Sequence, residues 1–469
     1  MIRRGTLFLT IFFFALSNLF AQQTKKDSIL SFSLKSAQDY ALQNSPTVKN
    51  ATLDLESAKK KIWETTAIGL PQVNSNLAYS YQITIPDKIK EFSGLTQLGG
   101  WMYGVDSYLY STSGDPTFGH ISPPDPNQTV VSDKDLRWGL TYDITATQLI
   151  FSGSYLVALQ TSKIYKQLSE LGINRSMNDV SEQVSNAYYL VLIAQENKNI
   201  LDSTYSNTSK ILDYITSMNA QGFIEESDVD QMQLTVSTIK NALEMIERQL
   251  EVAKNLLKFQ MGIELSRNII LTDDLNTLLI PSDLASLSLK DFKVENNSDF
   301  KLMETQEKLS GLYLKLQKSS LLPDIAAFYT HQENFNKNSF SFTPPNMIGL
   351  SMNIPIFGSG SKISKIQQAK IALEKAQNSK EQVSLGLQTS FSNARSSYLT
   401  ALNTYTTKKQ NVLLAEKIYN KSVIKYKEGI IGSLELTLAQ NQYLQAQSDY
   451  YTSILELSTS KSKFEKMLK

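Results

Sequence analysis

Few residues in this sequence are suited to catalytic or metal chemistry. The 469 residues include no cysteine and only two histidines, His120 and His331. Thiolate metal sites, disulfides and cysteine nucleophiles are therefore excluded, and a histidine-based metal cluster is nearly so. The carboxylates are scattered over predicted helix surfaces, with no Ser/His/Asp grouping, glycine-rich phosphate loop or metal-ligand spacing. We therefore expect neither an enzyme nor a bound cofactor.

Two pairs of a glycine and an acid do have a spacing that suggests a role. Gly222 is followed six residues later by Asp228, and Gly429 six residues later by Glu435. Glycine tolerates the positive φ that reverses a helix, and an acid at the start of the returning helix lies near its positive dipole end. Helix capping alone would explain the acids. Alternatively, several copies of each acid around a pore would form a negative ring that favours cations.

The charge balance and the first residues narrow the class of protein. The chain has 46 Lys and Arg against 45 Asp and Glu, so no basic excess favours binding to nucleic acid. Arg3 and Arg4 precede a short apolar run, and Ala21 offers a small residue for cleavage. This order is typical of a secretory signal peptide. The alternative is a membrane-spanning anchor, but the apolar run is interrupted at Ser17-Asn18 and is short for a span.

Internal repetition is the most informative pattern in the sequence. Ser185–Ala187 recurs 207 residues later as Ser392–Ala394, and the same offset relates Gly222 to Gly429. Other matches in the same order are Gly153-Ser154 with Gly360-Ser361 and Leu70-Pro71 with Leu322-Pro323. Each copy predicts a helix, a strand, a loop, a strand, a long helix, a turn and a final helix.

The long helices suit a tube better than a globular core. Apolar residues recur every three or four positions, and no proline interrupts the stretch from about Ser154 to Asn219. At 1.5 Å per residue this helix would be about 100 Å long, far beyond the diameter of a domain. A sustained seven-residue repeat with many Ala and Ser residues predicts closely packed coiled coils.

Period-two alternation predicts four strands with one apolar and one polar face. Apolar or aromatic residues occupy every second position, including Leu77, Tyr79 and Tyr81 in the first strand and Ile348, Leu350 and Met352 in the last. The third strand alternates least cleanly. Each segment has about the length that a tilted strand needs to cross a bilayer. Because four strands cannot close a barrel, we expect three chains to contribute twelve.

The predicted fold class is mainly α with a small β part: helical hairpins form a trimeric α-barrel, and four strands per chain join a 12-stranded transmembrane β-barrel. We expect a signal peptide (1–21), a first repeat (22–263), an equatorial linker (264–300) and a second repeat (301–469). Within the repeats we expect strands at about 72–85, 137–151, 324–332 and 347–357, a long outer loop at 86–136, and helical hairpins at 154–262 and 361–468.

This arrangement resembles the TolC family of outer membrane efflux proteins over essentially the whole mature chain. The resemblance is based on the Leu-Pro pairs, the two glycine turns and the strand-to-helix corners Phe151–Ser154 and Ile354–Gly358. It implies a homotrimer that lies in outer membrane lipid of a Gram-negative bacterium and extends into the periplasm. It also implies docking to a periplasmic adaptor (membrane fusion) protein and to an inner-membrane pump of the RND or ABC type.

The resemblance also implies that the glycine turns form the periplasmic aperture and adaptor contact. Tyr426 matches the family's gating tyrosine, and Asp228 matches its acidic partner. The family's arginine is replaced here by Ile431, and its second ring acid by Leu438, so the ion-pair lock is expected to be absent. An apolar constriction at Ile430, Ile431 and Leu434 is expected instead. The candidate site residues are Gly222, Asp228, Tyr426, Gly429, Ile431 and Glu435.

The predicted function is that of an outer-membrane channel of a tripartite efflux or type I secretion system, a passive export duct. The alternative is a periplasmic coiled-coil scaffold or adaptor without a membrane barrel, which would explain the helices but not the aromatic strands. The role of loop 86–136 stays open, because its aromatic residues could plug the lumen or pack on its rim.

Overall fold

The computed structural model describes residues 30–84, 95–123, 138–278, 287, 290–335 and 344–468. The predicted signal peptide, residues 1–21, lies outside this part of the chain. The described residues are mainly helical, with fewer strands. None of the helices in the described ranges combines the length and the apolar character needed to cross a membrane.

The first half of the chain begins with a short strand and two helices, continues with two longer strands separated by a helix, and ends in a helical hairpin. The elements are β1 (Leu30–Phe32), α1 (Leu34–Asn44), α2 (Pro46–Ala67), β2 (Gln72–Tyr81), α3 (Leu95–Ser113), β3 (Trp138–Phe151), α4 (Gly153–Ala220) and α5 (Glu226–Met261).

The second half has the same kinds of element in a similar order. They are β4 (Ile269–Leu271), α6 (Leu275–Leu278), a 3₁₀ turn (Val294–Asn296), α7 (Ser298–Ser319), β5 (Asp324–Asn334), β6 (Asn346–Asn353), α8 (Ser361–Lys427) and α9 (Ser433–Met467). The chain divides into two compact units, and the second consists of Lys59–Ile164 and Leu309–Leu373.

The first unit, Met1–Ala58, Tyr165–Lys308 and Glu374–Lys469, has a helical core in its described part. Small buried residues such as Ala37 and Ala187 let the helices approach closely, and large ones such as Tyr188 fill the remaining space. The Tyr188 hydroxyl donates a 2.9 Å hydrogen bond to the carbonyl of Phe32, beside the parallel pair β1–β4. A buried tyrosine hydroxyl needs such a partner.

The second unit contains a four-stranded antiparallel sheet in the order β2-β3-β5-β6. The register places the apolar sets of neighbouring strands on one face: Leu77 lies opposite Tyr142, and Tyr81 opposite Trp138. The opposite face carries polar pairs, including Asn76, whose side chain donates a 3.3 Å hydrogen bond to the Asp143 carboxylate. The alternation of the first, second and fourth strands thus predicts both faces of the sheet.

Strand β5 departs from this separation of apolar and polar residues. His331 lies on the apolar face opposite Ile144, whereas Phe328 lies on the polar face opposite Gly349. A Cβ atom at Gly349 would come within 2.7 Å of the Phe328 ring, so the glycine leaves room for that ring to lie over the neighbouring strand. His331 Nδ1 is 2.8 Å from the side-chain oxygen of Asn346, which partners it on this face.

Three elements differ from the predicted bounds. Strand β2 ends at Tyr81, before the expected residue 85. Strand β6 ends at Asn353, before the expected residue 357, because Pro355 has no N–H to donate to a strand ladder. The expected outer loop 86–136 contains helix α3, a 19-residue segment. The sequence of this segment has no proline, so it permits a helix.

Candidate functional site

The two helical hairpins of the first unit reverse direction through turns of the same geometry. Gly222 and Gly429 have positive φ values of 81° and 69°. The N–H of Phe223 bonds to the carbonyl of Met218 at 3.0 Å, and the N–H of Ile430 bonds to that of Lys425 at 2.9 Å. This six-to-one bond across a left-handed residue defines a Schellman motif, which ends a helix and satisfies its last carbonyls. Glycine is therefore required at both turns by backbone conformation.

The acids that follow the turns are not helix caps. The residues at the cap positions are Glu225 and Gly432, and neither makes a side-chain cap hydrogen bond. Asp228 and Glu435 lie three residues further on, in the first turns of α5 and α9. Neither acid is the cap residue itself, and both lie near positive helix dipole ends, as the spacing predicts. In the described ranges, no group of three acidic or histidine side chains is placed to hold a metal ion.

The two turns are joined by a hydrogen bond between the starts of the returning helices. The buried Ser433 hydroxyl donates to the Asp228 carboxylate, and these residues are 205 positions apart in sequence. A hydrogen bond to a charged group is stronger than a neutral one. Ser433 is not among the residues predicted from sequence. The sequence feature that points to it is its position directly after the second turn, at the start of α9.

Tyr426 lies near Asp228 but makes a different kind of contact from the one expected. Its side chain is 9% exposed and belongs to an apolar cluster with Ile215, Met232 and Leu436. Within the described part of the chain, its hydroxyl has no hydrogen-bond partner. Burial, followed by the charge of Asp228, raises the pKa of Tyr426. The structure thus brings the tyrosine and the acid near each other, while the acid's bond is to Ser433.

The expected apolar constriction divides into one packed residue and two exposed ones. Ile431 is half-buried against the apolar cluster around Tyr426. Ile430 and Leu434 are 69% and 58% exposed, and Glu435 is also exposed. The described part of the chain leaves both of these side chains largely uncovered. Ile430 and Leu434 are therefore better placed than Ile431 to meet another copy of the chain.

A second polar contact links the hairpins deeper in the same unit. The buried Gln440 amide donates a 2.7 Å hydrogen bond to the Thr208 hydroxyl, which donates in turn to the Thr204 carbonyl at 2.8 Å. Nearby, the rings of Tyr419 and Tyr443 stack with centroids 5.5 Å apart. Sequence reasoning missed Gln440, because a glutamine in a helix is read as a surface residue unless its neighbours are known.

The comparisons with known proteins agree with this architecture. Residues 293–462 match the family model described as outer membrane efflux protein. A search of the curated proteins by sequence finds no match.

Several solved structures share the fold over nearly the whole chain. The outer membrane protein VceC from Vibrio cholerae is 14% identical with a TM-score of 0.65, covering 93% of this chain and 95% of its own. The CmeC outer membrane channel of Campylobacter jejuni is 14% identical with a TM-score of 0.68, covering 93% and 85%. The MtrE outer membrane channel of Neisseria gonorrhoeae is 13% identical with a TM-score of 0.68, covering 93% and 88%.

At such low identity the shared structures establish the fold, and the family model adds the sequence relationship. Residues 293–462 match the outer membrane efflux protein family, and the resemblance to the TolC family inferred from the sequence is confirmed.

Proposed function

We propose that this chain is the outer-membrane channel of a tripartite efflux or type I secretion system. It acts as a passive duct across the periplasm and outer membrane and catalyses no reaction. The family match and the shared fold favour this function over a periplasmic scaffold without a membrane barrel. The direction and choice of cargo would then come from a pump.

The observation that supports the proposal most directly is the uncovered apolar face of the sheet. Leu77, Tyr79, Ile348 and Leu350 are each exposed by more than half in the single chain. A soluble protein would bury such a face against a second layer, because large exposed apolar patches favour association. Lipid provides an apolar environment, and aromatic residues at the end of such a face are typical of outer-membrane strands.

The edges of the sheet indicate that more than one chain is needed. Among the described residues, β2 and β6 each pair with another strand along one side only. Unpaired backbone groups are too costly to leave in lipid, so the sheet must close on itself. Three chains that each supply four strands form a closed 12-stranded barrel around a polar lumen. We infer a homotrimer on this basis, with the Asn76–Asp143 face towards the lumen.

Two repeats in the chain would account for the paired hairpins. The first repeat is residues 22–263 and the second 301–469, with an equatorial linker at 264–300. The identical Schellman hydrogen bonds at Gly222 and Gly429 support this division. Each copy supplies two strands and one hairpin, so three chains provide six pseudo-equivalent hairpins to an α-barrel.

The turns are proposed to form the periplasmic aperture and the contact with an adaptor protein. The residues assigned to it are Gly222, Asp228, Tyr426, Gly429, Ile431 and Glu435. The exposed Phe223, Ile430 and Leu434 beside them provide apolar contacts for neighbouring chains or for the adaptor. Through the adaptor, the channel would receive cargo from an inner-membrane pump of the RND or ABC type.

The test is the behaviour of the membrane-extracted protein. Membranes are washed with alkaline carbonate, the protein is extracted with detergent, and its mass is measured by light scattering. We expect the protein to stay in the membranes after the wash. The extracted protein should run as a trimer on a gel when it is not heated and as a monomer when it is heated. A protein that washes off as a monomer or dimer would mean that the strands form an ordinary sheet of a periplasmic scaffold.

A further inference from the structure

Helix α3, in the connection between β2 and β3, has no role in the proposed duct. Its residues Gly100–Ser113 carry one charged side chain, that of Asp106, and include Trp101, Tyr103, Tyr108 and Tyr110. Such a density of aromatic residues is costly to leave in water. The helix therefore needs a partner surface.

One side of α3 is covered by the chain segment that follows it. The Asp106 carboxylate accepts a 2.9 Å hydrogen bond from the N–H of Ile121, and backbone bonds from Ile121 and Gly119 hold the pKa of that carboxyl below its usual value. A Cβ atom at Gly119 would come within 3.0 Å of the Tyr110 ring, so the segment packs closely on this side. The only acid in the described part of α3 is thus engaged by its own backbone.

The opposite side of α3 is apolar and uncovered. Trp101, Val105 and Tyr108 follow one another at spacings of four and three, which places them along one face of the helix. Met102 and Leu109 flank this row. Trp101 and Tyr108 are 68% and 67% exposed. We call these five residues together the α3 apolar face: Trp101, Met102, Val105, Tyr108 and Leu109.

Chain connectivity indicates which surface can cover this face. The connection leaves the sheet at Tyr81 and returns at Trp138, which lie opposite each other at one end of β2 and β3. The long helices α4 and α8 follow the other ends of β3 and β6. In the proposed duct those helices are periplasmic, so the aromatic end of the sheet lies at the outer boundary of the membrane. Tyrosine and tryptophan are enriched at that boundary.

The chemistry of the face favours lipid over the lumen. The lumen side of the sheet carries Asn, Asp, Ser and Thr side chains, which offer an apolar helix little to pack against. A face with tyrosine and tryptophan but no charge suits the headgroup region, where an amphipathic ring keeps one part apolar and one part hydrated.

We propose that α3 lies on the outer surface of the outer membrane, with its apolar face inserted at the level of the lipid headgroups. This inference rests on the proposed channel function. It assigns to α3 the role of an interfacial anchor around the barrel, which is a different role from that of a plug.

The three tryptophans of the chain, Trp63, Trp101 and Trp138, allow a direct test. A variant with Trp63→Phe and Trp138→Phe keeps only Trp101, and one with Trp63→Phe and Trp101→Phe keeps only Trp138. Both full-length proteins are reconstituted in vesicles with lipids brominated at a shallow or a deep acyl position. We expect the fluorescence of Trp101 to be lost with shallow bromines and retained with deep ones.

The second variant separates this inference from the channel proposal. Quenching of Trp138 without quenching of Trp101 would overturn the interfacial helix and leave the channel intact. Quenching of neither would count against the membrane sheet itself.

A matched pair of substitutions in the Trp101-only protein tests which side of α3 meets the lipid. Tyr108→Asp is expected to reduce the quenching of Trp101 by brominated lipid. Ser107→Asp, on the other side of α3, is expected to leave the quenching unchanged. Equal effects of the two would also overturn the proposal.

Discussion

The bond between Ser433 and Asp228 is expected to hold the aperture closed, and the Tyr426 hydroxyl is not. Ser433→Ala removes the donor and leaves the buried site otherwise filled. Tyr426→Phe removes a hydroxyl that has no partner in the described part of the chain. The two substitutions therefore separate the contact seen in the structure from the tyrosine contact that the family resemblance implies.

The magnitude follows from the exposure of the acid. A hydrogen bond to a charged group contributes about 1.5–3 kcal/mol when both partners are buried. Asp228 is half-exposed, so water replaces part of the lost bond and we expect about 1 kcal/mol per chain. That energy changes an open-to-closed ratio about fivefold, and three chains acting together would change it about 150-fold. Tyr426→Phe should be neutral or slightly stabilising, because the buried hydroxyl is now unpaired.

The assay is the fraction of time that single channels in planar bilayers spend in the high-conductance state. Ser433→Ala should raise this fraction, while Tyr426→Phe should not. Ser227→Ala is the matched control, since Ser227 is an exposed serine at the first turn whose hydroxyl donates a 3.3 Å hydrogen bond within that turn, to Glu225. Opening by Tyr426→Phe together with unchanged gating in Ser433→Ala would refute the reasoning.

Three other perturbations test the packing and the aperture. Gly262→Ala should lower the melting temperature of the protein more than Gly222→Ala. Both glycines have positive φ, but only at Gly262 would a Cβ meet a backbone atom, 2.8 Å from the Asn44 carbonyl oxygen. Ile430→Ser should raise single-channel conductance more than Ile431→Ser, because Ile430 is exposed and Ile431 is packed in its own chain. Equal conductances would contradict the assignment of Ile430 to the apolar constriction. Burial raises the pKa of Tyr189, Tyr398 and Tyr443 to about 12, so their contribution to stability should be complete below pH 10 and lost between pH 10 and 12. Circular dichroism measures the helix content and absorbance at 295 nm the tyrosine ionisation; helix loss that precedes tyrosine ionisation would exclude this cause.

The two faces of the sheet were predictable from sequence because a strand has a strict period of two. Leu77, Tyr79 and Tyr81 on one strand and Trp138, Leu140 and Tyr142 on the next indicate an apolar face before any pairing is known. The order β2-β3-β5-β6 and its register depend on contacts between strands, which alternation alone does not determine. Strand β5 illustrates this limit, since Phe328 is accommodated on the polar face by the missing side chain of Gly349.

The candidate site was predictable only in part. The positive φ at Gly222 and Gly429 follows from a local rule about helix ends, and the structure has it at both. The partner of Asp228 is 205 residues away, and its choice depends on how two hairpins pack. The same holds for Gln440 and Thr208, which are 232 residues apart. Sequence spacing indicates where an acid lies along a helix, but it does not show which hydroxyl reaches it.

The uncovered apolar residues of the sheet and those of the helical turns are expected to contact different partners. Their spacing along each element indicates which partner each set contacts. On the sheet they recur at nearly every second position along β2, β3 and β6 and form one surface with aromatic residues at one end, as expected of contact with lipid. At the helical turns, Phe223, Ile430 and Leu434 form separate points beside acids, and each of them is more than half exposed. Isolated apolar side chains with charged neighbours are typical of a protein interface with a polar rim. In the proposed channel, the apolar surface of the chain is therefore expected to be buried partly by a membrane and partly by other copies of the chain or by an adaptor.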